Sequence, residues 1–193
     1  MKRASIIILV LVIATVVIAA ALVARLMPVN ILAPDTPGAT PQAFPSATDL
    51  GPNWTIASVQ VFCDGRERMD TDYVNTTVKA CEDYEREVKA NVYEYLQLGY
   101  LVWNTDANAH AFFEERRADI NTGTIENLTI GDESFLHAFD SSDGQIRARN
   151  AYARLGNTFL YVNMKAYNLA FALEPVAVLE MFVNLYTDYR TGT

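Results

Sequence analysis

The chain has 193 residues, and its 23 acidic side chains outnumber its 15 basic ones, which leaves a formal net charge of −8 at pH 7. Nucleic acids and anionic lipid headgroups attract basic surfaces, so this balance predicts no nucleic-acid partner. Two cysteines are too few to hold an iron–sulfur cluster, and no phosphate-binding glycine loop occurs. The sequence therefore predicts no cofactor.

The opening segment is strongly apolar. Residues 6–24 contain a single polar side chain, that of Thr15. As a helix rising about 1.5 Å per residue, this run matches a hydrocarbon core about 30 Å thick. It predicts a single transmembrane anchor within residues 1–27, with the basic N-terminus in the cytoplasm and the rest outside. The alternative is a cleaved signal peptide, since residues 19–21 are three alanines that suit a cleavage site.

A linker and one domain follow the apolar segment. Residues 28–53 hold six of the seven prolines, a composition typical of an extended spacer. Residues 54–193 are enough for one domain with a substantial core. Because all the acidic residues but only 12 of the basic ones follow the apolar segment, this outer portion carries a charge of about −11.

The two cysteines, Cys63 and Cys81, both lie in the predicted outer domain. In an oxidising compartment such a pair predicts one disulfide, which stabilises by about 3 kcal/mol for a loop of this size. A metal site is the alternative, but neither His110 nor His137 stands at ligand spacing from a cysteine. We therefore predict a disulfide and no metal.

Three Asn-x-Thr tripeptides begin at Asn53, Asn75 and Asn127. They are candidate glycosylation sites and agree with an exterior location.

The outer domain begins with a predicted strand at residues 54–63, which alternate and are rich in β-favouring side chains. A polar stretch follows, predicted as a loop with a short helix around Cys81. Residues 88–104 predict a long strand, in which Gly99 suggests a bulge or bend. Thr105 or Asp106 then caps a predicted helix over about residues 107–120.

Three strands and a helix complete the prediction. Residues 133–139 and 145–155 predict strands joined by a turn at 140–144, and Gly156 and Asn157 predict a tight hairpin into a strand at 158–168. Pro175 opens an amphipathic helix that runs to about residue 190. The predicted fold class is α+β: a single N-terminal transmembrane helix, then an antiparallel sheet covered by helices.

Three short stretches carry a resemblance to known proteins: "DLGPNW" at 49–54, "IGDES" at 130–134 and "ARLGNTFLYV" at 153–162. Together they resemble extracytoplasmic, membrane-anchored or lipid-anchored sensor-like domains of actinobacteria and Chloroflexi. The resemblance covers most of residues 49–168. It implies an exterior location and a fold class but no catalytic residue, since those domains are mostly of unassigned function. This chain lacks the lipobox cysteine that a lipid anchor requires.

Two groups of residues are candidates for chemistry or binding. Ser134, His137 and Asp140 could compose a hydrolase triad, but in a strand His137 faces away from the other two, and no nucleophile elbow appears. We therefore predict no catalytic residue. Tyr93, Tyr95 and Trp103 share one face of the long strand and are a candidate binding surface. The alternative is burial beneath the last helix, the commoner fate of an aromatic strand face.

These observations predict a non-enzymatic, single-pass membrane protein with an extracytoplasmic binding or interaction domain. With five residues before the apolar run, a partner-dependent role is favoured, as an accessory subunit of a membrane protein complex. The alternatives are a ligand-sensing surface domain and, from another class, a secreted hydrolase released by signal cleavage.

Overall fold

The computed structural model describes residues 43–57, 63–69, 73–90, 92–167 and 170–192. Seven strands and two helices occur within these ranges. In chain order they are β1 (Trp54–Ile56), β2 (Thr76–Lys89), β3 (Val92–Trp103), α1 (Asp106–Ala118), β4 (Thr124–Asn127), β5 (Glu133–Asp140), β6 (Ile146–Leu155), β7 (Thr158–Tyr167) and α2 (Pro175–Thr191).

The strands form one antiparallel sheet in the order β1-β2-β3-β7-β6-β5-β4. The central strands β3 and β7 pair in continuous register from Glu94 with Ala166 to Val102 with Thr158. The predicted hairpin between β6 and β7 is confirmed, because Leu155 pairs with Thr158 across two turn residues. Gly156 takes a φ of 55°, a left-handed conformation that glycine adopts without steric cost.

One face of the sheet, called here the first face, packs against α2. Leu96, Leu98 and Tyr100 of β3 are almost fully buried on it, together with Leu179 and Phe182 of α2. The predicted proline start of this helix is confirmed, with Pro175 in its first turn. Alternation along the strands places their apolar side chains beneath the apolar stripe of the helix, and this is the larger of the two cores.

Residues just before β1 also lie in this core. Phe44, which the sequence analysis assigned to the linker, is 5% exposed and stacks on Tyr100 and Phe182 with ring centroids 5.7 and 5.4 Å apart. The hydroxyl of Tyr84 donates to the carbonyl oxygen of Pro45 across 2.7 Å. The segment that precedes the sheet is therefore part of its hydrophobic core.

The opposite side, called here the second face, packs against α1. The hydroxyl of Thr105 accepts a hydrogen bond from the backbone of Asn108, which caps the helix as predicted. Ala109 and Phe113 of the helix are buried against an aromatic cluster whose other members are Leu101, Trp103, Phe135, Tyr152 and Phe159. A helix of 13 residues is about 20 Å long, whereas the 12 residues of β3 span about 40 Å. α1 therefore covers only the Trp103 end of this face.

Two predictions of local structure are wrong, and one strand was not predicted. The polar stretch around Cys81 is the 14-residue strand β2, because its ladder with β3 satisfies the backbone and its inward side chains Ala80 and Tyr84 join the core. The short edge strand β4 was not predicted, since all four of its side chains are exposed and only backbone pairing with β5 holds it. Gly99 forms no bulge: it pairs in register with Cys81 and leaves room for the ring of Tyr161.

The predicted fold class is also corrected. The described residues form a seven-stranded antiparallel sheet with two helices, and none of their helices is long and apolar enough to cross a membrane. α2, the longer helix, has 17 residues and carries exposed polar side chains such as Glu180. The predicted transmembrane segment at residues 6–24 lies outside the described residues.

Candidate functional site

A row of polar side chains crosses the half of the second face that α1 leaves uncovered. Asp83 pairs with Gln97, Gln97 with Asn163, Asn163 with Asn150 and Asn150 with His137, on five neighbouring strands. Directly paired residues project to the same side of a sheet, so these five side chains form one line, called here the polar row.

Hydrogen bonds between neighbours hold most of the polar row in place. Gln97 Nε2 donates to Asp83 Oδ1 across 2.9 Å, and Asn163 Nδ2 donates to Gln97 Oε1 across 3.1 Å. Asn150 Nδ2 lies 3.4 Å from His137 Nδ1, and the other ring nitrogen of His137 lies 2.8 Å from the carbonyl oxygen of Thr122. Such a connected network keeps each amide in one orientation.

A groove of about 540 Å³ lies over this row. Its floor includes Asp83, Gln97, Asn163 and Asn150. The residues two positions further along the same strands, which project to the same face, add Glu85, Tyr95, Ala148 and Lys165. A concave space of this volume, lined by apolar atoms and a few convergent polar groups, is typical of a small-molecule site.

The aromatic residues predicted as a binding surface are separated by the fold. Tyr95 is 41% exposed and lines the groove, and Tyr93 is its neighbour with ring centroids 6.1 Å apart. Trp103, by contrast, is 3% exposed and lies beneath α1, with its ring centroid 4.7 Å from that of Phe112. The third aromatic residue beside Tyr93 and Tyr95 is instead Tyr167 of β7, whose ring lies edge-on to that of Tyr95 with centroids 6.4 Å apart.

The charges in the groove are few. Asp83 and Glu85 are the acids and Lys165 the base among its described lining residues. Burial raises the pKa of Asp83, and the hydrogen bond from Gln97 offsets part of that rise. The ammonium of Lys165 lies 5.1 Å from the ring centroid of Tyr167, a cation–π arrangement.

The predicted disulfide is present and borders the polar row. Cys63 and Cys81 are bonded, with their Cα atoms 4.5 Å apart. Gln97 Nε2 lies 3.3 Å from the sulfur of Cys63, so the amide that anchors the row also contacts the disulfide. The bond joins the segment at residue 63 to the middle of β2, beside the groove.

The candidate glycosylation residues Asn53, Asn75 and Asn127 are all exposed. The Asn127 amide oxygen accepts a hydrogen bond of 2.7 Å from Arg117. None of the three lines the groove among its described residues.

The fold does not bring the suspected triad together. Ser134 is 6% exposed, and its hydroxyl accepts a hydrogen bond from the backbone of Ile130. His137 alternates to the opposite face and belongs to the polar row. Asp140 forms an ion pair with Arg149, whose guanidinium donates a hydrogen bond of 2.7 Å to the carboxylate and lowers the pKa of Asp140.

One cluster that the sequence analysis missed has the composition of a metal site. The ligand atoms of His110, Glu114 and Glu133 lie within 4.8 Å of one another. However, Arg154 Nε donates to Glu133 across 2.6 Å, and His110 Nδ1 lies 2.9 Å from the same carboxylate. These contacts give the cluster a structural role as an ion-pair network, so no metal is assigned to it.

No family model matches the sequence, and no curated protein matches it. Among solved structures, the extracellular domain of PknH from Mycobacterium tuberculosis is similar with a TM-score of 0.40 and 9% identity. The match covers 61% of this chain and 66% of that one, just under two thirds of its length. Membership of an actinobacterial or Chloroflexi family stays a prediction.

Proposed function

We propose that this chain is an extracytoplasmic binding domain that holds a small molecule in the groove over the polar row. The observation that carries the proposal is the groove itself: about 540 Å³ of space on the half of a sheet face that no described helix covers. An uncovered sheet face of a monomeric domain usually presents charged side chains to water. Here three carboxamides, each hydrogen-bonded to a neighbour, form a line beside Asp83, Glu85 and Lys165, with Tyr95 at one end.

The chemistry of the floor favours binding over catalysis. Three of the four floor residues, Gln97, Asn163 and Asn150, end in carboxamides, which donate and accept hydrogen bonds but do not exchange protons near pH 7. The fourth, Asp83, is hydrogen-bonded by Gln97. Hydrolytic chemistry requires a nucleophile beside a base and an orienting group. The proposal of a non-enzymatic role rests on this floor of carboxamides.

Two features support a location outside the cytoplasm. A disulfide joins Cys63 to Cys81, and such bonds persist mainly in oxidising compartments. The net charge of −8 suits a well-hydrated exterior surface. An accessory-subunit role and a contact with other membrane-complex subunits stay predictions, because the apolar segment that motivates them lies outside the described residues.

A ligand screen on the full chain tests the proposal. The thermal unfolding midpoint is measured with millimolar amino acids, sugars, nucleotides and polyamines, each of which raises the midpoint if it binds the native state. The blocking variant is Ala148→Trp, which places an indole in the groove, and the matched control is Ala107→Trp at an exposed position of α1.

We expect at least one compound to raise the midpoint of the wild type and of Ala107→Trp but not that of Ala148→Trp. The proposal is wrong if no compound shifts the midpoint. It is equally wrong if every shift survives in Ala148→Trp, since binding then occurs elsewhere on the chain.

A further inference from the structure

The floor of the groove offers hydrogen-bond donors and acceptors side by side. Both polar atoms of the Gln97 side chain already have partners. Its nitrogen contacts Asp83 and Cys63, and its oxygen accepts a hydrogen bond from Asn163. The amide oxygens of Asn163 and Asn150 receive no hydrogen bond from any residue that the structure describes, and each amide retains an N–H. A hydroxyl group, which is both donor and acceptor, fits such an amide in either sense.

The spacing of the amides suits a compact ring. Asn163 and Asn150 pair directly on adjacent strands, which run about 4.8 Å apart. Two amides at this separation reach substituents on opposite sides of one six-membered ring. The hydrogen bond from Asn163 to Gln97 holds that amide before any ligand arrives, so little ordering entropy is lost on binding.

Aromatic rings form one end of the groove. Tyr95 is 41% exposed, and the rings of Tyr93 and Tyr167 lie next to it, with centroids 6.1 and 6.4 Å from its own. An exposed tyrosine ring provides a flat apolar surface with a polar tip. The C–H face of a ring that carries hydroxyls at its edge would pack on Tyr95 while its edge meets the amides.

The charges disfavour an anion in the groove and a cation at its tyrosines. An anion would meet the carboxylates of Asp83 and Glu85, with Lys165 as the one cation among the described lining residues. A cation would be attracted by the same carboxylates, but at the tyrosines it would meet the ammonium of Lys165, which already lies 5.1 Å from the Tyr167 ring centroid. A neutral ligand avoids both costs.

We infer that the ligand of this groove is a neutral sugar, held by the carboxamides of Asn163 and Asn150 and by the ring of Tyr95. The inference rests on the proposed binding function and names its ligand class. A groove of about 540 Å³ is within the range of sites that enclose a small molecule of this kind.

Saturation-transfer NMR on the full chain tests the inference, with the protein held in a zwitterionic detergent that carries no sugar headgroup. The sugar probes are glucose, N-acetylglucosamine and maltose, and the other probes are glutamine, choline and inorganic phosphate. We expect transfer to the ring C–H protons of at least one sugar, and none to choline or phosphate.

Variants then locate the sugar. Tyr95→Ala and Asn163→Leu should each weaken its binding about tenfold, equivalent to about 1.4 kcal/mol. The matched control is Tyr73→Ala, because Tyr73 is 42% exposed, close to the 41% of Tyr95, and does not line the groove. This variant should bind within about twofold of the wild type, a difference of about 0.4 kcal/mol. Circular dichroism confirms that each variant is folded, and Tyr95→Phe, which keeps the ring, should retain binding if Tyr95→Ala does not fold.

The outcomes separate the ligand class from the binding function. If glutamine, choline or phosphate binds and Ala148→Trp abolishes that binding while no sugar binds, the ligand class is wrong and the binding function stands. If a sugar binds wild type, Tyr95→Ala and Asn163→Leu equally, it lies elsewhere and the inference fails. If no probe binds, the inference fails, and the broader thermal screen decides the binding function separately.

Discussion

Arg154 joins two of the three stretches that carry the sequence resemblance, because its guanidinium donates to the carboxylate of Glu133 with Nε 2.6 Å from Oε2. The same side chain reaches Asp132 at 3.3 Å and the carbonyl oxygen of Gly156 at 2.9 Å. Asp132 in turn accepts a hydrogen bond of 2.7 Å from the backbone of Gly156. The glycine-aspartate turn and the hairpin thus form one structural unit across β5 and β6.

Removing this arginine should destabilise the domain. Its side chain is only 14% exposed, so Arg154→Leu leaves the partly buried carboxylate of Glu133 with His110 alone and removes the Arg154 donor from the Gly156 carbonyl. We expect the free energy of unfolding to fall by about 1–3 kcal/mol, measured by urea titration. Arg68→Leu is the control, because that arginine is 49% exposed in its ion pair and should cost less than about 1 kcal/mol. Equal losses in the two variants would contradict the structural role of Arg154.

The carboxyl of Glu133 should make stability depend on pH in acid. Burial by itself raises its pKa, but the hydrogen bonds from His110 and Arg154 outweigh burial and the net pKa is lowered. A carboxyl whose folded pKa lies below its unfolded value of about 4.3 stabilises the fold above that pH and loses this contribution as the pH falls through the folded pKa. The urea midpoint should therefore decrease as the pH is lowered below about 4.3, and less steeply in Glu133→Gln. Glu180→Gln, at an exposed position of α2, should retain the wild-type slope, and an unchanged slope in Glu133→Gln would count against the assignment.

Gly99 should tolerate no larger side chain while Tyr161 is present. A Cβ at position 99 would lie 2.3 Å from the Tyr161 ring carbon Cζ. We expect Gly99→Ala to lower the free energy of unfolding by about 1–3 kcal/mol through overpacking. In a double-mutant cycle, Tyr161→Leu should recover most of that loss, because the shorter side chain vacates the space. Additive effects in the cycle would show that another contact makes position 99 sensitive.

Reducing the disulfide should weaken the domain. Cys63 and Cys81 close a loop with a sequence separation of 18 residues, for which the chain-entropy model gives about 3 kcal/mol. A thiol reductant should lower the urea midpoint of the wild type but not that of the Cys63→Ala, Cys81→Ala double variant. Fluorescence reports the transition, since both tryptophans, Trp54 and Trp103, are buried. If the reductant leaves the urea midpoint of the wild type unchanged, the predicted stabilisation by the disulfide is refuted.

Strands marked by apolar runs or by clear turn residues were predictable, and those without such signals were not. β3 is a run of mostly apolar and aromatic side chains, and β7 alternates apolar with polar ones after a glycine-asparagine turn, so the sequence indicates both. β2 carries charged residues along most of its length and forms because β3 supplies a partner for its backbone. β4 has no buried side chain at all, so no side-chain pattern could reveal it.

The candidate site was predictable only in part. Tyr93 and Tyr95 stand out in the sequence, because two tyrosines at a spacing of two share a strand face. Gln97, Asn163 and Asn150 do not stand out, because they lie in three different strands and none of them is part of a local motif. They become neighbours only through the pairing registers of β3, β7 and β6.

The sequence by itself determined the acidic charge, the hairpin at Gly156, a helix cap at Thr105 or Asp106 and the partnership of Cys63 with Cys81, because each depends on local residues or on composition. Only the tertiary structure decided which part of the second face stays open. α1 is about half as long as β3, so it buries Trp103 and leaves Tyr95 exposed, although both residues have the same orientation in one strand. Which end of the strand is covered depends on where the helix packs on the sheet, and no periodicity within a single strand encodes that position.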